Sequence, residues 1–582
     1  MRITNSMIMN NAGGNINGTK VLVDKRNTQM TTQKKIQRPS EDPVIAVRSL
    51  RLQTTLSKVN QYYERNIPDA ESWMNVTETA LSNIKDIITD MRTLANRGAT
   101  ETLTQDDRNT ILSQMKALQE QVYNEGNADY AGRTVFTGYR TDKSLTFMSE
   151  DKHTAYNITE PLTADMIKQK RFYNNTVTVP NTKAQVNGEA WVDGRTHTDL
   201  EDELKSMTIE KSDLYTLRLA YDDINTIQEI RCTYTLPGQT TSQSEDSNNT
   251  TSNIPVTVYD NEAAWATAKG NKKVVDDNEI IFIKETGEMI LGNTLASKYM
   301  TGNASIEVDY SKIGFKSGEL RPEYYFDCVQ LTDSEGAGVG SEGHVFDPNY
   351  SDTTYNETTY GSVLQAAIQH AYDVNRNAVS GKPITSDDVG FFFDKLSDDG
   401  ELKRYDINYT VAQNQDLTVN LEAGECIDHN IYQDMGDMIS AIEWAISAHE
   451  KVDKIKTMQK QDQFADETSQ KNLQMWLDVA QKEADYYDDN LSKLYSSQLG
   501  VCDSYLEDVN LSITKMGCKG DQLEMTKTRM SNQQETVQEL QSTNDDMDLS
   551  DIILRYTAAH TAYQSSLTAA GKLGQQTLLN YI

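Results

Sequence analysis

The chain has 582 residues, a formal net charge of -32 and only 37% hydrophobic residues, with a mean hydropathy of -0.63. The negative charge argues against nucleic acid as a partner, because phosphate contacts need clustered lysine and arginine. No apolar run reaches the roughly 18 to 20 residues of a membrane span, and the N-terminus lacks the pattern of a secretory signal. Composition alone therefore predicts a cytoplasmic protein rich in helices that bury a single stripe.

The first helical segment carries apolar residues at heptad spacing. Steps of three and four select Met9, Ala12, Ile16, Thr19, Val23, Arg26 and Met30, and five of these seven can line an apolar seam. Residues 1–65 hold eleven basic and four acidic side chains, a net charge of +7 that leaves -39 for the rest. This basic segment is expected either to contact neighbouring acidic subunits or to form a solvated face.

A proline-bracketed motif, formed by Arg38, Pro39, Ser40, Asp42 and Pro43, separates the first helix from the second. Proline interrupts one helix and is tolerated at the start of the next, and the serine is a good N-cap. Apolar stripes then predict helices that end near residues 98 and 126, the second of them opened by a capping box of Thr104 and Asp107.

The middle of the chain, residues 144–424, changes to strands and turns. Residues 280–283 and 289–291 flank a short turn as a hairpin, and residues 306–310 and 405–411 alternate apolar with polar side chains. Two stretches, 237–254 and 334–361, are rich in small polar residues and are predicted to be flexible insertions.

Helical character returns near residue 434, and one heptad phase runs from residue 506 to residue 540. After a predicted cap at 542–546, the final stripe contains Leu549, Ile552, Tyr556, Ala559, Tyr563, Ser566, Ala570, Leu573 and Thr577, widened by Leu567, Leu578 and Tyr581. Apolar helical stripes at both ends are most simply explained if the ends pack together, and against another copy of the chain.

No catalytic or metal-binding pattern stands out, and no cofactor is predicted. Residues 338–343 (GVGSEG) fit a dinucleotide fingerprint, but no helix follows to present its N-terminus to phosphate. The seven histidines are too scattered to suggest a metal cluster. The five cysteines show no zinc or disulfide spacing and are interpreted as buried or incidental thiols.

Both ends of the chain resemble the flagellar hook-filament junction proteins (FlgL, hook-associated protein 3) of the flagellin-like superfamily. At the N-terminal end the resemblance lies in residues 38–43, 62–66 (YYERN), 70–74 (AESWM), 77–81 (TETAL) and 92–99 (RTLANRGA). At the C-terminal end it lies in residues 548–551 (DLSD), 562–570 (AYQSSLTAA) and 578–582 (LLNYI). Flagellin shares the two-ended helical plan, but Pro43 and the final residues 580–582 (NYI) favour the junction proteins.

The resemblance implies an α+β fold in which both ends form an elongated helical rod and a β-rich domain is inserted between them. Residues 1–39 and 541–582 would form inner coiled-coil helices, residues 40–143 and 425–540 a helical bundle, and residues 144–424 the outer domain. The resemblance implies no enzymatic activity. The alternatives are a filament subunit and, less favoured, an enzyme displayed on a flagellin-like frame.

The implied role is a ring of subunits that joins the hook to the filament and templates filament assembly. Its partners would be its own copies, the hook-side junction protein, flagellin, and an FlgN-type export chaperone at the C-terminal helix. The type III channel of the flagellum would export it to an extracellular position. The interface would use Met9, Ile16, Val23, Met30, Leu549, Ile552, Tyr556, Tyr563, Leu567, Ala570, Leu573, Leu578 and Tyr581.

Overall fold

The computed structural model describes residues 5–100, 103–237, 242–247, 254–332, 391–393, 395–396 and 402–575. Its helices are α1 (Asn5–Thr32), α2 (Pro43–Gln61), α3 (Ile67–Gly98), α4 (Gln105–Val122), α5 (Lys183–Val186), α6 (Leu200–Met207), α7 (Glu262–Ala268), α8 (Asn293–Thr301), α9 (Ala423–Cys426), α10 (Ile431–Gln459), α11 (Glu467–Asp545) and α12 (Leu549–Gln575). Single turns of 3-10 helix lie at Glu125–Asn127, Ala164–Met166, Pro322–Tyr324 and Asp462–Phe464. The protein thus mixes helix and sheet, as predicted.

The chain divides into two compact units. Unit 1 comprises Met1–Ser72, Asn408–Val419 and Cys518–Ile582, and unit 2 comprises Trp73–Ile407 and Asn420–Gly517. The three-part division proposed from the sequence stays a prediction. The segment Asn408–Val419, which the sequence assigned to the middle region, clusters with unit 1.

The break between α1 and α2 is organised by Asp42 and not by Ser40, which corrects the sequence-based assignment of the N-cap. One carboxylate oxygen of Asp42 accepts hydrogen bonds from Val44 N (3.0 Å) and Ile45 N (3.2 Å). Pro43 lies in the first helical turn. Backbone N–H groups in this turn have no partner within the helix, so the missing N–H of proline costs no hydrogen bond, and its fixed φ suits the helix. Pro43 therefore selects the residue immediately before it as the cap.

A π-helical turn, Tyr62–Asn66, joins α2 to α3 just before Pro68. In an α-helix the ring of Pro68 would clash with the carbonyl four residues earlier. The wider turn is closed by a hydrogen bond from Ile67 N to Tyr62 O, and such bulges are known ways to insert a residue into a helix. The helical chain therefore continues through Pro68 without a break.

A small hairpin packs beside this turn in unit 1. It consists of β14 (Asn408–Ala412) and β15 (Gln415–Thr418). Asn66 Nδ2 donates to Thr410 O (2.7 Å), the Tyr409 hydroxyl donates to Asp69, and Gln415 Nε2 donates to Thr526 Oγ1 (3.2 Å). These bonds tie the hairpin to α3 and α11.

The helices of unit 2 bury the stripes that the sequence indicated. In α3, Ile84, Ile88, Met91 and Ala95 are fully buried, and in α4 so are Ile111, Met115 and Val122. The predicted capping box of Thr104 and Asp107 opens α4. Helix α4 packs on α10, so these segments form a helical core.

Helix α11 extends further than the predicted segment 506–540, because it begins at Glu467. The heptad positions Val509, Met516, Leu523, Met530 and Val537 are all buried. The strict seven-residue spacing keeps one face of the helix directed at its neighbours.

Unit 2 also contains two larger sheets and a short ribbon. Its strands are β1 (Asp129–Tyr130), β2 (Arg133–Thr134), β3 (Asp151–Thr163), β4 (Lys168–Asn174), β5 (Glu210–Arg218), β6 (Thr226–Tyr234), β7 (Gln243–Asp246), β8 (Val256–Tyr259), β9 (Ile280–Ile283), β10 (Glu288–Leu291), β11 (Ser305–Phe315), β12 (Asp327–Thr332) and β13 (Phe391–Phe393). The described strands form one sheet of order β13-β12-β3-β11-β6-β7 and another of order β4-β5-β10-β9-β8, and β1 pairs with β2. The predicted hairpin is confirmed as β9 and β10, which pair antiparallel and are buried throughout.

The two predicted insertions have different outcomes. Part of 237–254 is strand β7, which pairs with β6 from Arg231 to Tyr234, so that stretch is more ordered than predicted. The polar composition of this stretch did not indicate strand β7, because an edge strand buries little of its surface. The stretch 334–361 lies outside the described residues, as does the GVGSEG motif.

Candidate functional site

The candidate assembly surface is the pair formed by α1 and α12, which pack together within unit 1. Thr19 Oγ1 and Ser566 Oγ lie 3.2 Å apart. At the other end of the pair, Lys35 N donates to Asp545 O (2.7 Å) and Met547 N donates to Gln33 O (3.0 Å). Residues later in α1 contact residues earlier in α12, so the two helices run antiparallel.

The linker after α1 is fixed by its own polar contacts. The buried Gln29 donates from Nε2 to Lys35 O (2.6 Å) and accepts from Arg26 Nη1 (2.6 Å). Lys34 pairs with Asp546, and the hydrogen bond from Lys34 lowers the pKa of the Asp546 carboxyl. Asp548 accepts from Ser550 N (2.7 Å) and Asp551 N, so this residue opens α12. The predicted cap at 542–546 was wrong, since α11 continues to Asp545.

The structure places most of the predicted interface residues on the shared stripe, but not all of them. Ile552 is fully buried, and Ile16, Val23, Met30, Tyr556, Tyr563 and Ala570 are half-buried. Met9, Leu549 and Leu567 are exposed. Ser566, next to Leu567, takes the position that contacts α1. The side chains of Leu573, Leu578 and Tyr581 lie outside the described part of the chain.

The helix-break motif lies mainly at the surface. Arg38, Pro39, Ser40 and Pro43 are exposed, while Asp42 is partly covered by the bonds it accepts as the cap. Asp42 thus acts as the N-cap of α2, and Pro43 occupies the first turn of that helix.

Large apolar side chains are exposed on the outer faces of the unit 1 helices. They are Met7, Ile8, Met9, Val21 and Leu22 on α1, Val44, Val47 and Leu50 on α2, and Leu549, Ile553, Leu554 and Leu567 on α12. Val21 is 68% exposed and Leu554 is 71% exposed. Exposed apolar residues that adjoin one another, as Val21 and Leu22 or Ile553 and Leu554 do in the sequence, are typical of interaction surfaces.

Most of this outer surface was not predicted from the sequence. The predicted stripe covers one face of each helix, whereas adjacent apolar residues such as Val21 with Leu22, or Ile553 with Leu554, point about 100° apart on a helix. Such pairs of consecutive apolar residues are the sequence feature that indicates a second apolar face. A helix pair can cover only one face of each partner, so the second face remains exposed.

Unit 2 holds a separate cavity of about 610 Å³. Its charged walls are largely paired within the protein: Arg218 Nη1 lies 2.6 Å from Asp437 Oδ1, and Lys170 pairs with Glu288. Asp434 accepts from the Tyr505 hydroxyl (2.6 Å), and burial raises the pKa of the Asp434 carboxyl. Ion pairs of this kind stabilise the present conformation of the cavity walls.

The five cysteines are free thiols, as predicted. Cys232, Cys328, Cys426 and Cys502 are buried free thiols, and burial raises the pKa of Cys232 and of Cys502 to about 12. Cys518 is exposed. Among the described helices, none has an apolar stretch long enough to cross a membrane.

Comparison with known proteins identifies the class to which the N-terminal helices correspond. Residues 3–141 match the family model of the bacterial flagellin N-terminal helical region. This range includes α1 to α4 and the β1–β2 ribbon, and it therefore contains one half of the helix pair described above.

Within that class, the chain is similar to flagellar hook-associated protein 3. It is 27% identical over 144 residues to the protein of Salmonella typhimurium, covering 24% of this chain and 45% of the relative. It is 28% identical over 159 residues to the protein of Escherichia coli K12, covering 26% and 47%. The chain thus spans slightly less than half the length of these relatives. The resemblance to hook-associated protein 3 is confirmed, and these relatives support a structural role in the bacterial flagellum.

Solved structures of flagellar junction proteins also align with this chain over most of their length, but with low TM-scores. The FlgL of Legionella pneumophila is 10% identical, with 86% of this chain and 99% of that chain covered and a TM-score of 0.25. The FlgL of Xanthomonas campestris is 8% identical, with 84% and 99% covered and a TM-score of 0.20. These scores lie below the level at which a shared arrangement of domains follows.

Proposed function

We propose that this chain is a structural subunit of the bacterial flagellum that forms a ring at the hook-filament junction. In this role it connects the hook-side junction protein to the flagellin filament and provides the template on which filament assembly begins. The observation that carries the proposal is the exposed apolar surface of α1, α2 and α12, while most of the stripe shared by α1 and α12 is at least half-buried. The similarity to hook-associated protein 3 supports the same role.

The proposed assembly uses the terminal helices as the contact between copies. Burial of apolar surface contributes roughly 25 cal/mol per Å², so repeated contacts along these helices would hold a ring without covalent links. The charge of +7 on residues 1–65, against -39 elsewhere, favours contact between the basic helices of one copy and acidic segments of the next. The predicted interface residues belong to this proposal.

Export would follow the flagellar type III route to an extracellular site. During export the apolar residues of α12, including Ile553 and Leu554, would have to be shielded from solvent. An FlgN-type chaperone bound to the C-terminal helix would provide this shielding. Such a chaperone would compete with the assembly contacts, because both use the same apolar face.

A single charged substitution on the outer face of α12 tests the assembly surface. Leu554→Asp places a carboxylate at a side chain that is 71% exposed in the isolated chain, so the variant is expected to fold normally but to fail in assembly. Gln564→Asp adds the same charge at an exposed polar position of α12 and serves as the control. We expect cells with Leu554→Asp to lose motility and shed flagellin, and cells with the control to swim. Normal motility with Leu554→Asp would contradict the proposed surface.

The match to the flagellin N-terminal region favours one second candidate, a filament subunit. Immunogold electron microscopy of intact cells, with antibody against residues 334–361, separates the two roles. A narrow band where hook meets filament is expected for the junction role. Label along the whole filament would make the chain a flagellin instead, and label absent from flagella would contradict both roles.

A further inference from the structure

Three side chains with metal-binding chemistry meet in a loop of unit 2. Asp193 and His197 lie in the segment before α6, and Glu203 lies on α6 itself. Each offers one ligand atom, and the three atoms all lie within 4.8 Å of one another. The scattered histidines of the sequence predicted no metal site, whereas here a single histidine is combined with two carboxylates.

The side chains of the cluster are largely shielded from solvent, and one carboxylate oxygen has no hydrogen-bond partner among the described residues. The side chains of His197 and Asp193 are only 6% and 7% exposed, and Glu203 is fully buried. One oxygen of Glu203 accepts a hydrogen bond from Val192 N. The other, Oε2, has no hydrogen-bond partner among the described residues. A buried carboxylate oxygen without a partner is costly, and a bound cation removes that cost.

The residues around the cluster orient its members as the outer shell of a metal site does. His197 Nε2 faces Asp193 Oδ2 at 2.7 Å, while His197 Nδ1 faces a different carboxylate, Asp202 Oδ2, at 3.4 Å. A histidine that binds a metal through one nitrogen usually donates its other N–H to a carboxylate. Asp193 is held in turn by Arg195 N (2.9 Å) and Ser206 Oγ (3.4 Å).

We propose that Asp193, His197 and Glu203 bind one Zn²⁺ ion. Zinc accepts imidazole nitrogen together with carboxylate oxygen at about 2.0–2.2 Å, in tetrahedral geometry. Tetrahedral ligands at that distance lie about 3.3 Å apart, which falls between the 2.7 Å of the His197–Asp193 contact and the 4.8 Å limit of the cluster. The nitrogen ligand disfavours Ca²⁺ and Mg²⁺, which prefer oxygen. The ion would fasten the loop before α6 to that helix and leave a fourth position for water.

Zinc titration of the full-length protein, after treatment with a chelator, tests the site. Calorimetry is expected to give one site per chain, and saturating Zn²⁺ is expected to raise the unfolding temperature. His197→Gln and Glu203→Gln should each weaken binding at least about tenfold, and Asp202→Asn by about tenfold through loss of orientation. Equal concentrations of Ca²⁺ or Mg²⁺ should not compete.

His449→Gln is the matched control. His449 Nε2 lies 2.8 Å from Asp488 Oδ2, so it forms a similar histidine–aspartate pair. No third ligand lies beside that pair among the described residues. Zinc binding that is absent in the wild type, or lost in His449→Gln and retained in His197→Gln, would overturn the assignment. Should a variant fail to fold, X-ray absorption of the zinc-loaded wild type decides: one imidazole and oxygen ligands are expected, and a shell containing sulfur or lacking imidazole contradicts the site.

Discussion

Replacement of Gly98 by alanine is expected to destabilise unit 2, although alanine favours helices over glycine. Gly98 is the last residue of α3 and packs against the ring of Tyr495 on α11. A Cβ at this position would lie 2.1 Å from Tyr495 Cδ1 and 2.3 Å from Cε1. The ring is fully buried, and its hydroxyl donates to Met438 O (3.1 Å), so it cannot move aside without breaking that bond.

The expected size follows from opposing contributions. Forcing an extra carbon into a packed core costs about 1–3 kcal/mol, and loss of the Tyr495 hydrogen bond costs about 1 kcal/mol more. Against these, replacing glycine in a helix contributes up to about 1 kcal/mol. We expect a net loss of about 1–3 kcal/mol, measured as a lower denaturation midpoint of the full-length protein.

Gly500→Ala is the control for this experiment. Gly500 lies within α11, the helix that carries Tyr495, and a Cβ at this position would meet no atom within 4 Å. Only the helix preference acts at this position, so the control is expected to be neutral or stabilising by up to about 1 kcal/mol. If Gly98→Ala moved the midpoint in the same direction as Gly500→Ala, the steric argument would be refuted.

Three further predictions concern a helix cap, a buried acid and the thiols. Asp42→Ala should lower the unfolding free energy by about 1 kcal/mol, because α2 loses its N-cap, whereas Asp42→Asn should restore most of it; equal effects of the two in denaturant unfolding would contradict the capping role. Glu160 accepts hydrogen bonds from Ala220 N and the Tyr310 hydroxyl, and burial raises the pKa of its carboxyl to about 7 from 4.5. The folded state therefore holds this proton more tightly, and stability should fall by up to about 3 kcal/mol as pH rises from 4.5 through 7. Glu160→Gln should remove this part of the pH dependence, so a constant difference between wild type and variant from pH 5 to pH 8 would argue against it. Finally, Cys518 should be the one thiol of five that reacts rapidly with a maleimide in the native protein, as mass spectrometry of the labelled peptides would show; rapid labelling of Cys502 would conflict with its burial.

The sequence predicted the elements that depend on local chemistry. The capping box at Thr104 and the β9–β10 hairpin needed only neighbouring residues, and both were confirmed. The N-cap of α2 was misassigned because Ser40 and Asp42 are both good caps, and the choice between them depends on Pro43. Strand β7 was missed because its pairing with β6 is not visible in its own polar residues.

The candidate sites show a different limit of sequence reasoning. A heptad pattern indicated that Ile552 and Val23 face a partner, but it did not show that Leu554 would remain uncovered once the partner was in place. The cluster around His197 escaped notice because Asp193 and Glu203 are common residue types on their own. Only the turn into α6 brings their oxygens to the same imidazole.

The contact between Thr19 and Ser566 also bears on when unit 1 can fold. The two residues are 547 positions apart, and α1 has no α12 to pack on until α12 has been made. Contacts this distant in sequence form late, because the closure of a long loop must precede them. A ribosome-bound or truncated chain that stops before α12 therefore cannot present the paired helices, and the proposed contacts between copies would have to wait until α12 is available.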